Sequence, residues 1–318
     1  MNNIDFSLFE KQIVDQLKGY LNHSGVFYRI FSRSKSIQSI KKKLEIKKDK
    51  YSINGSKMQD LIGIRVVFYF LDDIHIFAEY LRQKEFYVDE SNSERDLAKT
   101  EIKNIDLGNT VFMPTRLNFI CRIPENLVVD LQQQLMQVTE FDARLIDMTY
   151  EIQLRSVLSE GWHEVEHDLR YKCKDEPWWS YCKEESRFLN GIFATLETSE
   201  RSMKELFSNI AYKNYKNYKN KDWAAMMRNH FCLRFVDSSL EEWVINLFNN
   251  NNDIAKAYYR FDRSALIKVL CQSPITFKLR MMHVVFLINR MSNISDEITA
   301  KEKPTMKEIL DKVIDLKQ

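Results

Sequence analysis

The stretch at residues 60–70, Asp-Leu-Ile-Gly-Ile-Arg-Val-Val-Phe-Tyr-Phe, most constrains what this chain can fold into. It is an apolar run rich in β-branched residues, which predicts a strand buried inside a sheet. Asp60 opens the run and Arg65 lies within it, although an unpaired charge in a protein core is strongly unfavourable. We therefore expect partners for both charges, and a metal ion with a polyphosphate at the end of the strand would be such partners.

Strand and helix patterns alternate between residues 4 and 211. Strands are predicted from Val26 and at residues 60–70, 99–107, 116–123 and 146–154, helices at 4–22, from Ser36, and at 72–84, 126–138, 156–171 and 184–211, and a polar loop at 89–96. Residues 222–318 show only helical spacing. The predicted fold class is α/β (α+β): a mixed β-sheet flanked by helices, followed by an all-helical C-terminal region. The predicted domains are 1–25, an N-terminal helix; 26–211, the sheet domain; and 212–318, the helical region.

The composition limits the classes of protein to consider. With 44% hydrophobic residues the 318-residue chain can bury a core, and seven Gly and five Pro favour a helix-rich protein. A net charge of +2 does not by itself predict nucleic-acid binding, although nine Lys or Arg residues and only two acids lie between residues 29 and 50. Five scattered cysteines without a CxxC pair predict reduced thiols, and no signal peptide or membrane span is predicted. We therefore expect a cytoplasmic protein with no membrane association.

The strand at residues 146–154 brings a second set of polar residues, because Glu151 and Gln153 lie on the same side as Arg155, which follows them. Asp60 and Glu151 suit a hard, oxygen-preferring ion such as Mg²⁺, and nearby basic residues suit phosphate oxygens. A set of this kind is typical of phosphoryl transfer. The alternative is structural: two buried ion pairs in which Asp60 and Glu151 each bind an arginine.

The predicted helix at residues 156–171 contains a zinc-like pattern, because His163 and His167 match HExxH. No third zinc ligand is apparent downstream, so we reject zinc at this position and expect His163 at a surface or an interface. The predicted apolar side of this helix consists of Val157, Trp162, Val165 and Leu169.

Five segments follow one another over residues 26–172 in a recognisable order. They begin at Arg29, Asp60, Asp72, Glu151 and Trp162 and read RIFSRSKSIQSIKKK, DLIGIRV, DDI, EIQLR and WHEVEHDLRYK. Together they resemble the synthetase domain of the RelA/SpoT family, the alarmone synthetases. The resemblance implies a nucleotidyltransferase-like sheet that moves the β,γ-pyrophosphate of ATP onto a 3′-hydroxyl group and releases AMP.

The resemblance also implies roles for individual residues. Asp60 would hold Mg²⁺, and Glu151 would help to bind the ion or act as the base on the acceptor hydroxyl. The residues implied on the ATP side are Arg29, Arg33, Lys35, Ser39, Lys43 and Arg65. Those implied to complete the pocket are Gln153, Arg155, Glu166, His167 and Lys172.

The acceptor segment departs from the family pattern. The family has Gly-Tyr-x-Ser-x-His there, and its Tyr stacks on the guanine of the acceptor. At residues 113–118 this chain reads Met-Pro-Thr-Arg-Leu-Asn, so that Pro114 replaces the Tyr, Arg116 the Ser and Asn118 the His. Arg116 and Asn118 therefore mark an altered acceptor region. The acceptor is expected to be a guanosine nucleotide or, as in some toxic relatives, the 3′ end of a tRNA.

A tyrosine repeat, Tyr-Lys-Asn three times, occupies residues 212–220. Tyr212, Tyr215 and Tyr218 resemble the Tyr-x-x-Tyr that blocks the donor site in fused toxin–antitoxin phage-defence proteins of the CapRel type. The other interpretation is an amphipathic linker. Three functional hypotheses follow: a pyrophosphokinase with a regulatory C-terminal region that answers to a protein trigger, an autoinhibited toxin, and an inactive nucleotide-binding sensor.

Overall fold

A computed structural model describes residues 6–92, 117–166, 169, 181–217, 221–272 and 278–315. The chain forms two compact units. The first comprises Met1–Lys18, Tyr28–Tyr69 and Leu81–Glu197, and the second Gly19–Phe27, Phe70–Tyr80 and Thr198–Gln318. No helix within these described ranges is long and apolar enough to cross a membrane.

The first unit is built on a five-stranded sheet. Its strands are β1 (Tyr28–Ser34), β2 (Ile62–Phe68), β3 (Tyr87–Asn92), β4 (Leu117–Arg122) and β5 (Thr149–Ser156), in the spatial order β1-β2-β5-β4-β3. β2 pairs with β5 in parallel, and the other neighbours are antiparallel. The predicted mixed sheet is confirmed, and the apolar run that begins at Asp60 leads into β2, one of its inner strands.

One face of this sheet is apolar and fully covered. Alternate residues of β2, from Ile62 to Phe68, are buried on it together with Ile152, Leu154 and Phe119 of the neighbouring strands. The helices within the unit are α2 (Ile37–Ile46), α4 (Glu125–Met136) and α5 (Val157–Glu166), and a short 3-10 turn covers Ala143–Leu145. The helices α1 (Ser7–Ser24), α3 (Leu71–Arg82) and α6 (Lys183–Lys216) have residues in both units.

β3 corrects the predicted polar loop at residues 89–96, because the strand continues to Asn92. Its residues are polar because β3 lies at the edge of the sheet, where backbone pairing with β4 rather than an apolar side-chain pattern defines the strand. Glu90 is nevertheless buried, with Arg82 Nε donating to its carboxylate at 2.7 Å. The strand predicted at 99–107 lies outside the described residues.

α5 corrects the predicted apolar side of that helix. Trp162 is buried as predicted, but Val157, Val165 and Leu169 are exposed, and His163 is buried rather than at the surface. The reason is that Arg65 of β2 forms an ion pair with Glu160 of this helix. Glu160 and His163 are therefore shielded from solvent together with Trp162, whereas the two valines of the helix are exposed.

The second unit confirms the all-helical C-terminal region. Its further helices are α7 (Trp223–Phe231), α8 (Glu242–Asn250), α9 (Asn252–Arg260), α10 (Arg263–Gln272), α11 (Met281–Ser292), α12 (Asp296–Ala300) and α13 (Pro304–Asp315). α6 continues to Lys216 instead of ending at residue 211, so the start of the tyrosine repeat is helical and not a linker. Within this part of α6, Tyr215 is buried, whereas Lys213 and Lys216 are exposed.

Candidate functional site

The second face of the sheet carries the polar residues. In the register of the strands, Arg33 of β1 lies beside Gly63 of β2, and Gly63 lies beside Glu151 of β5. The next row across the sheet contains Phe31, Arg65, Gln153 and Asn118. Register partners point to the same face, and residues two apart on one strand share it. The period-2 pattern of the strands therefore gathers the predicted residues on one surface.

A cavity of about 270 Å³ opens on this face. Its lining consists of Phe31, Ser32, Arg33, Lys35, Asp60, Gly63, Ile64, Arg65, Glu151, Gln153 and Glu164. A Cβ atom added to Gly63 would meet nothing within 4 Å, so the absent side chain leaves the floor of the cavity open. Three cationic and three acidic side chains line the cavity. Their formal charges cancel, so the lining as a whole has no net positive charge to attract an anionic ligand.

Asp60 is held by two lysines. Its Oδ2 atom lies 3.0 Å from Nζ of Lys35 and also accepts a hydrogen bond from Nζ of Lys43. Burial opposes ionisation of Asp60, but the hydrogen bonds and charges of the two lysines outweigh it and lower the pKa of the carboxyl group. The structural alternative of an Asp60–arginine ion pair is wrong, because its partners are lysines. Lys35 directly follows β1, and Lys43 lies in the last turn of α2.

The other oxygen of the Asp60 carboxylate, Oδ1, is buried and accepts no hydrogen bond from the described residues. An anionic oxygen without a partner is unfavourable, and a cation would satisfy it. Asp60 and Glu151 are two carboxylates, and no group of three His, Cys, Asp or Glu residues able to hold a metal occurs in the described part of the chain. The set fits Mg²⁺, which takes one or two carboxylates and completes its shell with water and phosphate oxygens.

Glu151 has the opposite electrostatic character. Burial and then the negative charge of Asp60 raise its pKa, while the hydrogen bond with Gln153 and the charges of Lys35 and Arg155 act in the other direction. No ion pair joins Glu151 to an arginine of the described residues, so the structural alternative is also wrong for this carboxylate. A buried carboxyl group with a raised pKa is a suitable proton acceptor.

Arg65 lies between two glutamates of α5. Its Nη1 atom donates to Oε1 of Glu160 at 2.5 Å and also to Oε1 of Glu164. Burial acts to lower the pKa of Arg65, but the two carboxylates outweigh it and raise that pKa. The arginine inside the apolar run is thus paired in this structure by acids 95 and 99 residues further along the chain.

Other predicted residues lie beside the cavity, not in its lining. Arg29 is exposed on β1, with Nε donating to the Tyr69 hydroxyl at 3.4 Å. Ser39 lies in the first turn of α2, where its hydroxyl is 2.9 Å from that of the capping residue Ser36. Arg155 is buried. Asn118 is half-buried, and its Oδ1 atom has no hydrogen-bond partner among the described residues.

Several predicted residues cannot be placed. Arg116, His167, Lys172 and Tyr218 lie outside the described residues, as does the side chain of Glu166 at the end of α5. Their predicted roles remain predictions.

The tyrosine repeat belongs to the second unit. Tyr215 is only 7% exposed and stacks on Tyr259, with ring centroids 4.9 Å apart. Its hydroxyl lies 3.4 Å from Oδ1 of Asn252. Tyr212 is 46% exposed and packs obliquely against Tyr259 at 6.1 Å. Tyr215 is therefore a core residue of this unit, and of the two described tyrosines only Tyr212 offers an accessible ring.

Sequence reasoning missed several residues of the cavity region, among them Phe31, Gly63, Glu160 and Glu164. Gly63 and Phe31 could have been found from the alternation of the strands, since each lies two residues from a predicted site residue. Glu160 and Glu164 are four apart on α5 and so share a helix face, but nothing local in the sequence pairs that face with Arg65.

Comparison with known proteins finds a family model and several solved structures. Residues 32–176 match the family model described as a region found in RelA / SpoT proteins. Similar solved structures include the small alarmone synthetase 2 of Bacillus subtilis, which is 20% identical to this chain. The alignment covers 62% of this chain and 94% of that chain, with a TM-score of 0.42.

Two further structures are similar to a comparable degree. A GTP pyrophosphokinase family protein from Streptococcus pneumoniae has 19% identity, covers 63% of this chain and 90% of its own, and has a TM-score of 0.41. The small alarmone synthetase 1 of Bacillus subtilis bound to its product pppGpp has 20% identity, with 63% and 94% covered and a TM-score of 0.40. No curated protein matches at a significant level. The family resemblance predicted from the five segments is confirmed over residues 32–176.

Proposed function

Residues 32–176 belong to the RelA/SpoT family, and from this premise we propose that the protein is a Mg²⁺-dependent ATP pyrophosphokinase. The acceptor 3′-hydroxyl oxygen attacks the β-phosphorus of ATP. The bond between that phosphorus and the α,β-bridging oxygen breaks, and AMP leaves with the bridging oxygen. The hydroxyl proton passes to a carboxylate, so that the β,γ-pyrophosphate ends on the acceptor with charge and atoms balanced.

Glu151 is the proposed proton acceptor. It lines the cavity, it has no ion pair with an arginine of the described residues, and its pKa is raised by burial and by Asp60. A carboxylate with a raised pKa holds a proton more strongly and is therefore a better general base than an exposed one. The main observation behind the proposal is that Glu151, with its raised pKa, lines the same cavity as Asp60 and Lys35.

Asp60, Lys35 and Lys43 form the proposed phosphate and metal side. Mg²⁺, when bound, would neutralise phosphate charge and polarise the β-phosphorus. Asp60 would hold the ion through its unpartnered Oδ1, and the two lysines would turn from Oδ2 toward phosphate oxygens. Arg33, exposed at the edge of the cavity, would bind further phosphate oxygens.

The acceptor is proposed to be a guanosine nucleotide or the 3′ end of a tRNA. Asn118 supports an acceptor site next to Gln153, because its buried Oδ1 has no hydrogen-bond partner in the described part and could accept one from a base or ribose. The altered segment at residues 113–118 leaves both acceptors open.

Autoinhibition with a protein trigger is a second candidate for the whole chain. It now rests on Tyr212 and Tyr218 alone, because the ring of Tyr215 is stacked inside the second unit. Tyr212→Ala would raise transfer activity in the full chain if this tyrosine contributes to a block. An unchanged rate in that variant would count against such a role for it.

The test uses the full chain with γ-labelled ATP, Mg²⁺ and one acceptor at a time: GDP, GTP, ATP or bulk tRNA. The expected result is label on one acceptor with stoichiometric release of unlabelled AMP. Asp60→Asn and Glu151→Gln abolish the transfer, whereas Glu185→Gln, an exposed glutamate outside the cavity lining, leaves it unchanged. ATP binding without labelled product for any acceptor, in the wild type and in the Tyr212→Ala variant alike, would support the sensor hypothesis and refute the enzyme.

A further inference from the structure

Glu164 is the residue of the cavity for which the proposed reaction has no use. It lies on α5 within the segment that reads WHEVEH, and its side chain is 56% exposed at the edge of the cavity. Its Oε1 atom accepts a hydrogen bond from Nη1 of Arg65. A carboxylate in a site proposed for a polyanion is unfavourable for binding, so its presence there requires an explanation.

The two glutamates that bind Arg65 differ in how freely they can move. The Glu160 side chain is 14% exposed and the Glu164 side chain is 56% exposed. Glu160 is therefore the fixed partner, which keeps Arg65 paired at the surface of the sheet. Glu164 can rotate into water at little cost, because more than half of its side chain is already exposed to solvent.

The net charge of the cavity lining also favours displacement of Glu164 by an anionic ligand. Arg33, Lys35 and Arg65 are offset by Asp60, Glu151 and Glu164 among the lining residues, which leaves no net positive charge for a triphosphate. Rotation of Glu164 away from the cavity removes one negative charge and leaves Nη1 of Arg65 with Glu160 as its one carboxylate partner among the described residues. The donor position that Glu164 vacates could then bind a phosphate oxygen, for which guanidinium groups are well suited.

We propose that Glu164 is a competitor for the phosphate groups of the ligand: its carboxylate occupies Arg65 in the empty site and is displaced when a phosphate group arrives. The proposal rests on the proposed function for the identity of the ligand, a nucleoside triphosphate. It makes Glu164 a specificity-determining residue, because a ligand without phosphate groups gains nothing from displacing it.

The test is isothermal titration of the full chain in the presence of Mg²⁺ with ATP, inorganic tripolyphosphate and adenosine. Glu164→Gln is expected to lower the Kd for ATP and for tripolyphosphate by about two- to fivefold and to leave the affinity for adenosine unchanged. Glu185→Gln, which removes the same charge from an exposed position outside the cavity lining, changes none of the three affinities.

A structural role for Glu164 predicts different results. If Glu164 supports the fold of α5, Glu164→Gln weakens the binding of ATP, tripolyphosphate and adenosine alike and lowers the melting temperature. That result overturns the proposal. Unchanged or weaker binding of both phosphate ligands also overturns it. In an Arg65→Gln background the gain from Glu164→Gln is expected to disappear, and a gain that persists there contradicts competition for Arg65.

The outcome also separates this inference from the proposed function. Tighter phosphate binding by Glu164→Gln, without transfer of label to any acceptor in this variant or in Tyr212→Ala, leaves the inference standing and refutes the enzyme. Label transfer by a Glu164→Gln variant whose affinity for ATP is unchanged refutes the inference alone. Failure of the wild-type chain and the variant to bind either phosphate ligand refutes both.

Discussion

The buried ion pair between Asp73 and Arg263 gives a sharp prediction for the stability of the second unit. Arg263 donates from Nη1 and Nη2 to the two oxygens of Asp73 at 2.6 and 3.1 Å, and from Nε to the carbonyl oxygen of Phe231 at 2.6 Å. Asp73 and Arg263 are both buried, and the guanidinium lies 5.4 Å from the ring centroid of Phe70. Asp73→Ala therefore leaves a buried cation without its carboxylate.

The magnitude follows from that geometry. Removing one partner of a buried pair costs about 3–5 kcal/mol, because the remaining charge stays desolvated. This corresponds to a factor of about 10² to 10⁴ in the equilibrium constant for unfolding. The same two helices supply a matched control, since Lys268 of α10 pairs with Glu79 of α3 at 2.6 Å while both side chains are about half exposed. Glu79→Ala is expected to cost no more than about 1 kcal/mol.

Amide hydrogen exchange of α10 and α11 in the full chain measures the effect, because protection reports the free energy of opening of a local region. Asp73→Ala should reduce protection there far more than Glu79→Ala does. Equal losses in the two variants would refute the reasoning. Adding Arg263→Met to Asp73→Ala should restore part of the protection, since an apolar side chain of similar length needs no counter-charge.

Four further predictions concern the cavity and the tyrosines. Glu151→Gln should lower the transfer rate by about 10²–10⁴-fold. In the wild type, the transfer rate should rise with pH through a pKa above the ordinary 4.5, because Glu151 can accept a proton only when its carboxyl group is ionised. A wild-type rate that does not rise with pH in this way would contradict the assignment of Glu151 as the base. Gly63→Val should abolish ATP binding in titration calorimetry with little change in melting temperature, since its side chain would enter open space; retained binding would show that the ligand lies elsewhere. Phe31→Ala, which removes a 51% exposed ring from the cavity wall, should weaken ATP binding by about tenfold while tripolyphosphate binding is unchanged, and equal losses for both ligands would exclude base stacking. Tyr215→Ala should destabilise the second unit by about 3–5 kcal/mol in urea unfolding, whereas Tyr212→Ala should change its stability by less than about 1 kcal/mol, and the reverse order would contradict the burial of these rings.

Local rules account for what the sequence predicted well. Arg65 and Gln153 come together because the apolar run and the segment at residues 149–156 are both strands of period two, and parallel pairing aligns their polar positions. The all-helical C-terminal region follows from helical spacing in the same way. Neither prediction needed a long-range contact beyond the pairing of adjacent strands.

The failures concern partners that only the folded chain brings together. Asp73 could be interpreted from the sequence as a helix-dipole residue, because its real partner lies 190 residues further along the chain. The valines of α5 were predicted on its buried side, because the sequence does not show that Arg65 of β2 pairs with Glu160 of this helix. Tyr215 matched a short pattern associated with autoinhibition, yet its ring has stacking partners of its own.

The same long-range pairs determine how the cavity can work. Lys35 and Lys43 pair with Oδ2 of Asp60, and Glu160 and Glu164 pair with Arg65, so a phosphate ligand at these residues would have to exchange partners with them. Such an exchange keeps each charge compensated before and after binding, which avoids the cost of an empty, unpaired site. It also reduces the net affinity for any single phosphate group, because every new contact replaces an existing one. A ligand that brings both a metal ion and several phosphate groups would gain most, since the metal would compensate the charge of Asp60 while phosphate oxygens would bind the lysines that Asp60 releases.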